Sequence, residues 1–343
     1  NMVNGFRPIA VLPVIYKLYS RVMYMLTETT CSRLISAQFA FRSTTRRTGL
    51  FSSFDDWWEG GGIAGTHVYI MDGDIKKAYE YVSHSTFAVA ARGRGMHEVQ
   101  THAWLREWRR MTSIFRLDKE TTSDEDNALG ACPRETFGAK MIFNMILDTL
   151  AEKFIATAAT GDGACDLGDN SWVSLVLFAD NYWLVATSTP MLMTNVRLRL
   201  LGEVGWELPT ADPTWCTTEQ DLYKADISVN SQITRRMEAK SGFKVLGTMV
   251  TVDNTFGVEV ENRLARATRA FWANWDVLGR VSIPLPKRLQ VFRATVEASM
   301  LWCAGSWNLR VSSPRRLRGA QPRLIRNTLR IKGDTTEHLG ELL

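Results

Sequence analysis

The sequence predicts an α+β fold, with an antiparallel sheet and packed helices in its first two thirds and an all-helical basic end. Three observations lead there. The run 174–188, SLVLFADNYWLVATS, sets two apolar strand-like segments on either side of the polar pair Asp180-Asn181. Asp and Asn both tolerate positive φ, so this reads as a β-hairpin turning at that pair. A second strand-like run, 68–78, reads VYIMDGDIKKA and also ends in carboxylates. The third observation is the long helical pattern of 137–158 between the two runs, followed beyond residue 260 by further helical periods. By itself the hairpin is a solvated tip. Two strands that each deliver an aspartate, however, can together hold divalent cations.

Taken in order, 6–25 passes from a Pro-punctuated extended piece into a helix whose Val14, Leu18, Val22 and Met25 form an apolar face. Residues 34–47 are a polar, basic connector, and 50–58 a helical segment. Gly60-Gly61-Gly62 breaks that segment before the strand at 67–72. No glycines stand at Rossmann or P-loop spacing, which excludes those nucleotide fingerprints. Residues 85–110 are rich in helix. In 137–158, Phe137, Met141, Met145, Ile146, Leu150 and Phe154 share a core-packing face. After the first hairpin, 191–204 reads as a helix. Residues 243–260 read as a second hairpin turning at Asp253-Asn254. Leu264, Thr268, Phe271 and Trp275 then mark an amphipathic helix, and 289–302 another.

At 343 residues, 45% hydrophobic and 22% charged, the chain has the composition of a globular protein of two or three domains. It has no apolar run of membrane-spanning length, and its start, NMVNGFRPIA, has no signal-peptide core and reads as a cut from something longer. Five scattered cysteines without a C-x-x-C pair argue for free thiols rather than disulfides or zinc. From residue 261 onward, fifteen Lys/Arg stand against six Asp/Glu, a local +9 that leaves the remainder at −4. No acid falls between Arg310 and Lys332. Arg315, Arg316, Arg318, Arg323 and Arg326 in that span read as a polyanion-binding surface.

These pieces, in this order, resemble the reverse transcriptase of a non-LTR (LINE-type) retrotransposon. Phe6-Arg7-Pro8-Ile9 with Tyr16-Lys17 resembles the opening "RPI…YK" block. Gln38, Phe41 and Arg42 resemble "Q-x-G-F-R", with Ala40 in place of the glycine. Asp72 to Val82 resembles the strand-then-helix block "D-I-K-K-A-F-D-x-V", and Phe178-Ala179-Asp180 resembles "F-A-D-D". Phe243, Lys244, Leu246 and Gly247 resemble "F-K-Y-L-G", while 267–275 and 296–307 resemble the thumb.

The resemblance implies a right-hand polymerase fold, with residues 1–66 as fingers, 67–260 as palm with fingers insertions, and 261–343 as a helical basic thumb and C-terminal extension. It implies an RNA-directed DNA polymerase working by two-metal nucleotidyl transfer onto a DNA primer 3′-hydroxyl. Asp74 and Asp180 would be the catalytic carboxylates. They would hold two Mg²⁺ ions, or Mn²⁺ in their place, together with Asn181 and the carbonyl of Ile75. Lys17 and Arg42 would face the incoming deoxynucleoside triphosphate. Tyr79 falls where the family sets an aromatic against the sugar; a core aromatic is its other reading. The implied partners are an RNA template, a DNA primer and other domains of a retrotransposon polyprotein, with no membrane. The implied location is intracellular, in the nucleus.

Some positions depart from the pattern. Asn181 replaces a second aspartate, removing a unit of charge from the metal site. The block before the long helix reads ACPRETFGAK, with Arg134 for a glutamine, Glu135 for a glycine and Phe137 for a proline. Asp212 stands where a lysine is expected, and Glu80 where an aspartate is. These departures support an alternative, a catalytically impaired remnant that only binds nucleic acid.

Overall fold

The computed structural model describes residues 12–31, 37–40, 50, 67–75, 78–79, 82–109, 112–113, 116–117, 120–121, 126–127, 138–160, 165–166, 172–188, 214–219, 226–229, 232–237, 243–251, 257–306 and 315–329. The chain divides into two units. The first comprises Asn1–Leu50, Glu59–Trp215 and Asp221–Arg236. The second comprises Phe51–Trp58, Cys216–Gln220 and Met237–Leu343.

The first unit is built on a six-stranded sheet. Its strands are β1 (Tyr69–Asp74), β2 (Leu175–Phe178), β3 (Asn181–Ala186), β4 (Thr214–Thr217), β5 (Asp226–Val229) and β6 (Gln232–Arg236), in the order β5-β6-β4-β1-β3-β2. The pairs β1–β3, β2–β3 and β5–β6 are antiparallel, as expected, while β4–β6 is parallel. Strand alternation assigns the two faces. Tyr69, Met71, Leu175, Leu177, Tyr182, Leu184 and Ala186 join the main core. Ile70, Asp72, Asp74, Val176, Asn181 and Trp183 take the opposite face.

That core is filled by α1 (Val14–Cys31), α2 (His84–Gly93), α3 (Glu98–Arg109) and α4 (Ala139–Thr160). Ser83 caps α2, accepting from the Thr86 amide at 3.1 Å. The long helix α4 is not one-sided, as the spacing predicts. Every residue from Met141 to Asp148 is buried, because sheet and helices enclose it. Its two buried polar groups have partners. Asp148 takes Arg94 at 2.7 Å, and Asn144 donates to the Ala40 carbonyl at 2.9 Å.

The apolar face read on α1 is the outward one. Val14, Leu18, Val22 and Met25 are exposed, while Ser20, Met23, Thr27 and Cys31 are buried. The small side of the helix packs inward because its hydroxyls return to their own backbone, Thr27 Oγ1 to Met23 O at 2.9 Å. Cys31 then rests on Met145, its thiol pushed up to about 12 by burial. The four described cysteines are free thiols. No described helix is long and apolar enough to cross a membrane.

The second unit holds the hairpin of β7 (Phe243–Val245) and β8 (Thr248–Val250), then α5 (Gly257–Ala273), α6 (Trp275–Leu278), α7 (Leu285–Phe292), a π-helical turn Arg293–Glu297, α8 (Ala298–Met300) and α9 (Arg315–Leu329). The hairpin turns at Leu246-Gly247, both at positive φ (47° and 88°), and not at Asp253-Asn254, which lies outside the described residues. Residues 257–260, expected as its return strand, open α5. Ala267, Phe271, Leu278, Phe292, Val296, Met300, Leu324 and Ile325 form this unit's core. Buried Arg288 ties the unit together, donating to the carbonyls of Ile283, Leu278 and Thr328 at 3.1, 3.3 and 2.6 Å.

Candidate active site

β1 runs out of the core. Tyr69 to Met71 are buried, Asp72 and Gly73 half-buried, and Asp74 exposed. Its register with β3 sets Asp74 opposite Asn181 and Asp72 opposite Trp183. The hairpin places the other carboxylate. Phe178 pairs with Asn181, so the two-residue turn is Ala179-Asp180, one position earlier than the sequence suggests. Ala179, not Asp or Asn, takes the left-handed backbone, at φ 55°. At this position the Ala179 amide has a buried acceptor, Gln38 Oε1 at 3.3 Å.

Two further contacts lock the strand ends together. The Ile75 amide donates to the Asp180 carbonyl at 2.8 Å. Gly73 lies under the Tyr182 ring, so closely that a Cβ there would stand 2.2 Å from Cζ. Asp74, Ile75, Asp180 and Asn181 are thus gathered by backbone pairing alone.

The electrostatics follow from that crowding. The Asp72 carboxyl is pushed up to about 7, first by burial and then by the charge of Asp74, with Trp183 acting in the other direction. Burial, then Asp72 and Asp74, raises the Tyr182 phenol above its usual range.

The donor set fits a hard divalent cation, since its atoms are carboxylate, amide and carbonyl oxygens. The Asn181 nitrogen lies 3.5 Å from the Phe178 carbonyl, a long contact, which leaves the amide oxygen for a cation. Among the described residues, no group of three or more His, Cys, Asp or Glu side chains is placed to hold a metal.

Lys17 is exposed on α1. Tyr79 takes the core-aromatic alternative: it is 6% exposed and stacked on Phe143, with ring centroids 4.5 Å apart. Arg323 is exposed and Arg326 half-buried on α9, which also carries Arg315, Arg316 and Arg318. Arg42, Glu80, Arg134, Glu135, Phe137 and Asp212 lie outside the described residues, as does the helix read at 191–204. Spacing missed the supports of the site, Gln38, Gly73 and Asn144. Gln38 was visible only as part of a family block.

No protein-family model matches this chain, and no curated protein does. Among solved structures the chain is similar to yeast telomerases. A telomerase from Candida tropicalis in complex with the TWJ fragment of telomeric RNA matches at a TM-score of 0.45 and 8% identity, over 96% of this chain and 49% of that one. Apo telomerase from Candida tropicalis matches at 0.40 and 10%, over 91% and 54%. Telomerase from Candida albicans, also with the TWJ fragment, matches at 0.37 and 9%, over 91% and 47%. The chain spans about half the length of these telomerase chains. At such TM-scores and identities the likeness carries no argument about what this chain does.

Proposed function

We propose that this chain is an RNA-directed DNA polymerase, the reverse transcriptase of a non-LTR retrotransposon. It would extend a DNA primer 3′-hydroxyl with deoxynucleoside triphosphates on an RNA template. The observation that supports this reading is the pairing of Asp74 with Asn181 beside Asp180, whose carbonyl is held by the Ile75 amide. Two Mg²⁺ ions, or Mn²⁺, held by Asp74, Asp180, Asn181 and the Ile75 carbonyl, would activate the hydroxyl and neutralise charge on the phosphates. The protein's own part is to hold the backbone that carries these residues together at the end of the sheet, so that little reorganisation is left for the reaction.

In this reading Lys17 and Arg42 meet the triphosphate. Arg315, Arg316, Arg318, Arg323 and Arg326 grip the template–primer duplex through its phosphates, so binding weakens steeply with salt. The other domains of the element's polyprotein are further partners, and the nucleus is the place of action.

A second reading, a remnant that binds nucleic acid without synthesis, is favoured by one observation. The residue facing Asp74 is an amide, so the site carries one charge fewer than the family pattern. Primer extension on an RNA template with Mg²⁺ or Mn²⁺ separates the two. The polymerase reading expects product from the wild type, none from Asp74→Ala and more from Asn181→Asp. Synthesis that survives Asp74→Ala overturns the site. Product from Asn181→Asp alone establishes the remnant.

A further inference from the structure

We propose that Gln38 is a positioning residue for Asp180, its side-chain oxygen fixing the backbone of the turn that carries this carboxylate. The inference rests on the functional reading above.

Residues 37–40 lie along the outer edge of β2 as a short parallel addition to the sheet. The Leu177 amide donates to Ala37 O at 2.8 Å, and the Phe39 amide donates to Leu177 O at 2.9 Å. This pairing aims the Gln38 side chain at the turn. Gln38 is 0% exposed. Its Oε1 accepts from the Ala40 amide at 3.0 Å and from the Ala179 amide at 3.3 Å. Two N–H donors meeting one atom identify that atom as the oxygen. Asn144 of α4 secures the other side of Ala40 through its carbonyl at 2.9 Å. A chain of hydrogen bonds therefore runs from the buried central helix through Ala40 and Gln38 to Ala179.

The turn needs such support. Ala179 is an L-residue with a Cβ in the left-handed region, and it is buried, so its amide has no water to turn to. Gln38 supplies the missing acceptor, while Ile75 grips the next carbonyl from β1. Asp180 is thus clamped from both flanks. A neutral acceptor also suits the place, since a cationic brace would compete with metal ions for the carboxylates and an ionised one would repel them.

The test uses the full chain and three variants: Gln38→Met, which keeps the length and loses the acceptor; Gln38→Glu, which keeps an acceptor oxygen; and Asp180→Ala. Amide hydrogen exchange at Ala179 and Mn²⁺ affinity by electron paramagnetic resonance are read together. The expected result is that Gln38→Met speeds Ala179 exchange and weakens Mn²⁺ binding, each by about tenfold, the size of one lost buried hydrogen bond. Gln38→Glu restores the protection, and Asp180→Ala loses the Mn²⁺ site. Where Gln38→Met does not fold, Gln38→Asn, shorter by one methylene, carries the same expectation in smaller size. Unchanged Ala179 exchange overturns the proposal. So does faster exchange with wild-type Mn²⁺ affinity in Gln38→Met while Asp180→Ala loses binding. Mn²⁺ affinity indifferent to Asp180→Ala overturns the functional reading instead, and this proposal with it.

Discussion

The two tight hairpins solve the same backbone problem with opposite chemistry. Each turns through two residues and puts a side-chain-bearing residue at positive φ, Ala179 in one and Leu246 in the other. The first is braced by a neutral amide, Gln38. The second is braced by a buried ion pair. Glu259 accepts from the Met249 amide at 2.7 Å, and Arg263 binds both Glu259 and the Gly247 carbonyl. A salt bridge can hold a turn whose task is structural. Beside the turn that carries Asp180, an uncharged brace adds no charge of its own to the local field.

The largest effect is expected at the charged brace. Arg263→Met strands Glu259, fully buried, without its counter-ion. It should destabilise the chain by about 3–5 kcal/mol, read from chemical denaturation. The double variant Glu259→Gln/Arg263→Met should recover much of that loss, because the uncompensated charge is gone. A loss near zero in the single variant would mean that the pair braces nothing.

A second effect depends on pH and belongs to the first hairpin's partner strand. Asp72 has its carboxyl raised to about 7 in the folded chain, so the fold favours the protonated form. That contribution is fully present below the ordinary carboxylate range and is lost as pH rises through about 7. Asp72→Asn should therefore raise the thermal midpoint at pH 8 and change it little at pH 4. An equal shift at both values would reject the charge argument.

The smallest effect sharpens the comparison itself. Ala179→Gly and Leu246→Gly relieve the Cβ at positive φ but add chain entropy to the unfolded state. Each should move stability by less than about 1 kcal/mol, seen as a small change in denaturation midpoint. A loss much larger than that at Ala179 would show that its methyl group, and not its amide, holds the turn.

Legibility in the sequence divided along a physical line. Elements defined by local period were readable, including both carboxylate strands, α4 and the C-terminal helices. Readings that depended on a partner distant in the chain failed. Asp180-Asn181 has the chemistry of a turn, yet the turn begins at Ala179, whose amide meets a glutamine 141 residues upstream. Leu246-Gly247 turns the second hairpin because Arg263 and Glu259 arrive from α5 to hold it, whereas Asp253-Asn254 looked more suitable by composition. On α1 the period identified one apolar face, yet the small side goes inward, where Cys31 meets Met145 of α4. The candidate site was legible in its carboxylates and hidden in its supports, since Gln38, Gly73 and Asn144 act through single contacts that leave no pattern.

Arg288 has a consequence for how the C-terminal unit answers to ionic strength. Its guanidinium is buried and its donors end on three carbonyls, none of them charged. Mobile ions cannot reach it, and a charge held by dipoles at hydrogen-bond range has little for a Debye atmosphere to screen. Salt therefore spares the anchor of α9, whose Thr328 carbonyl stays tied to Arg288 as ionic strength changes.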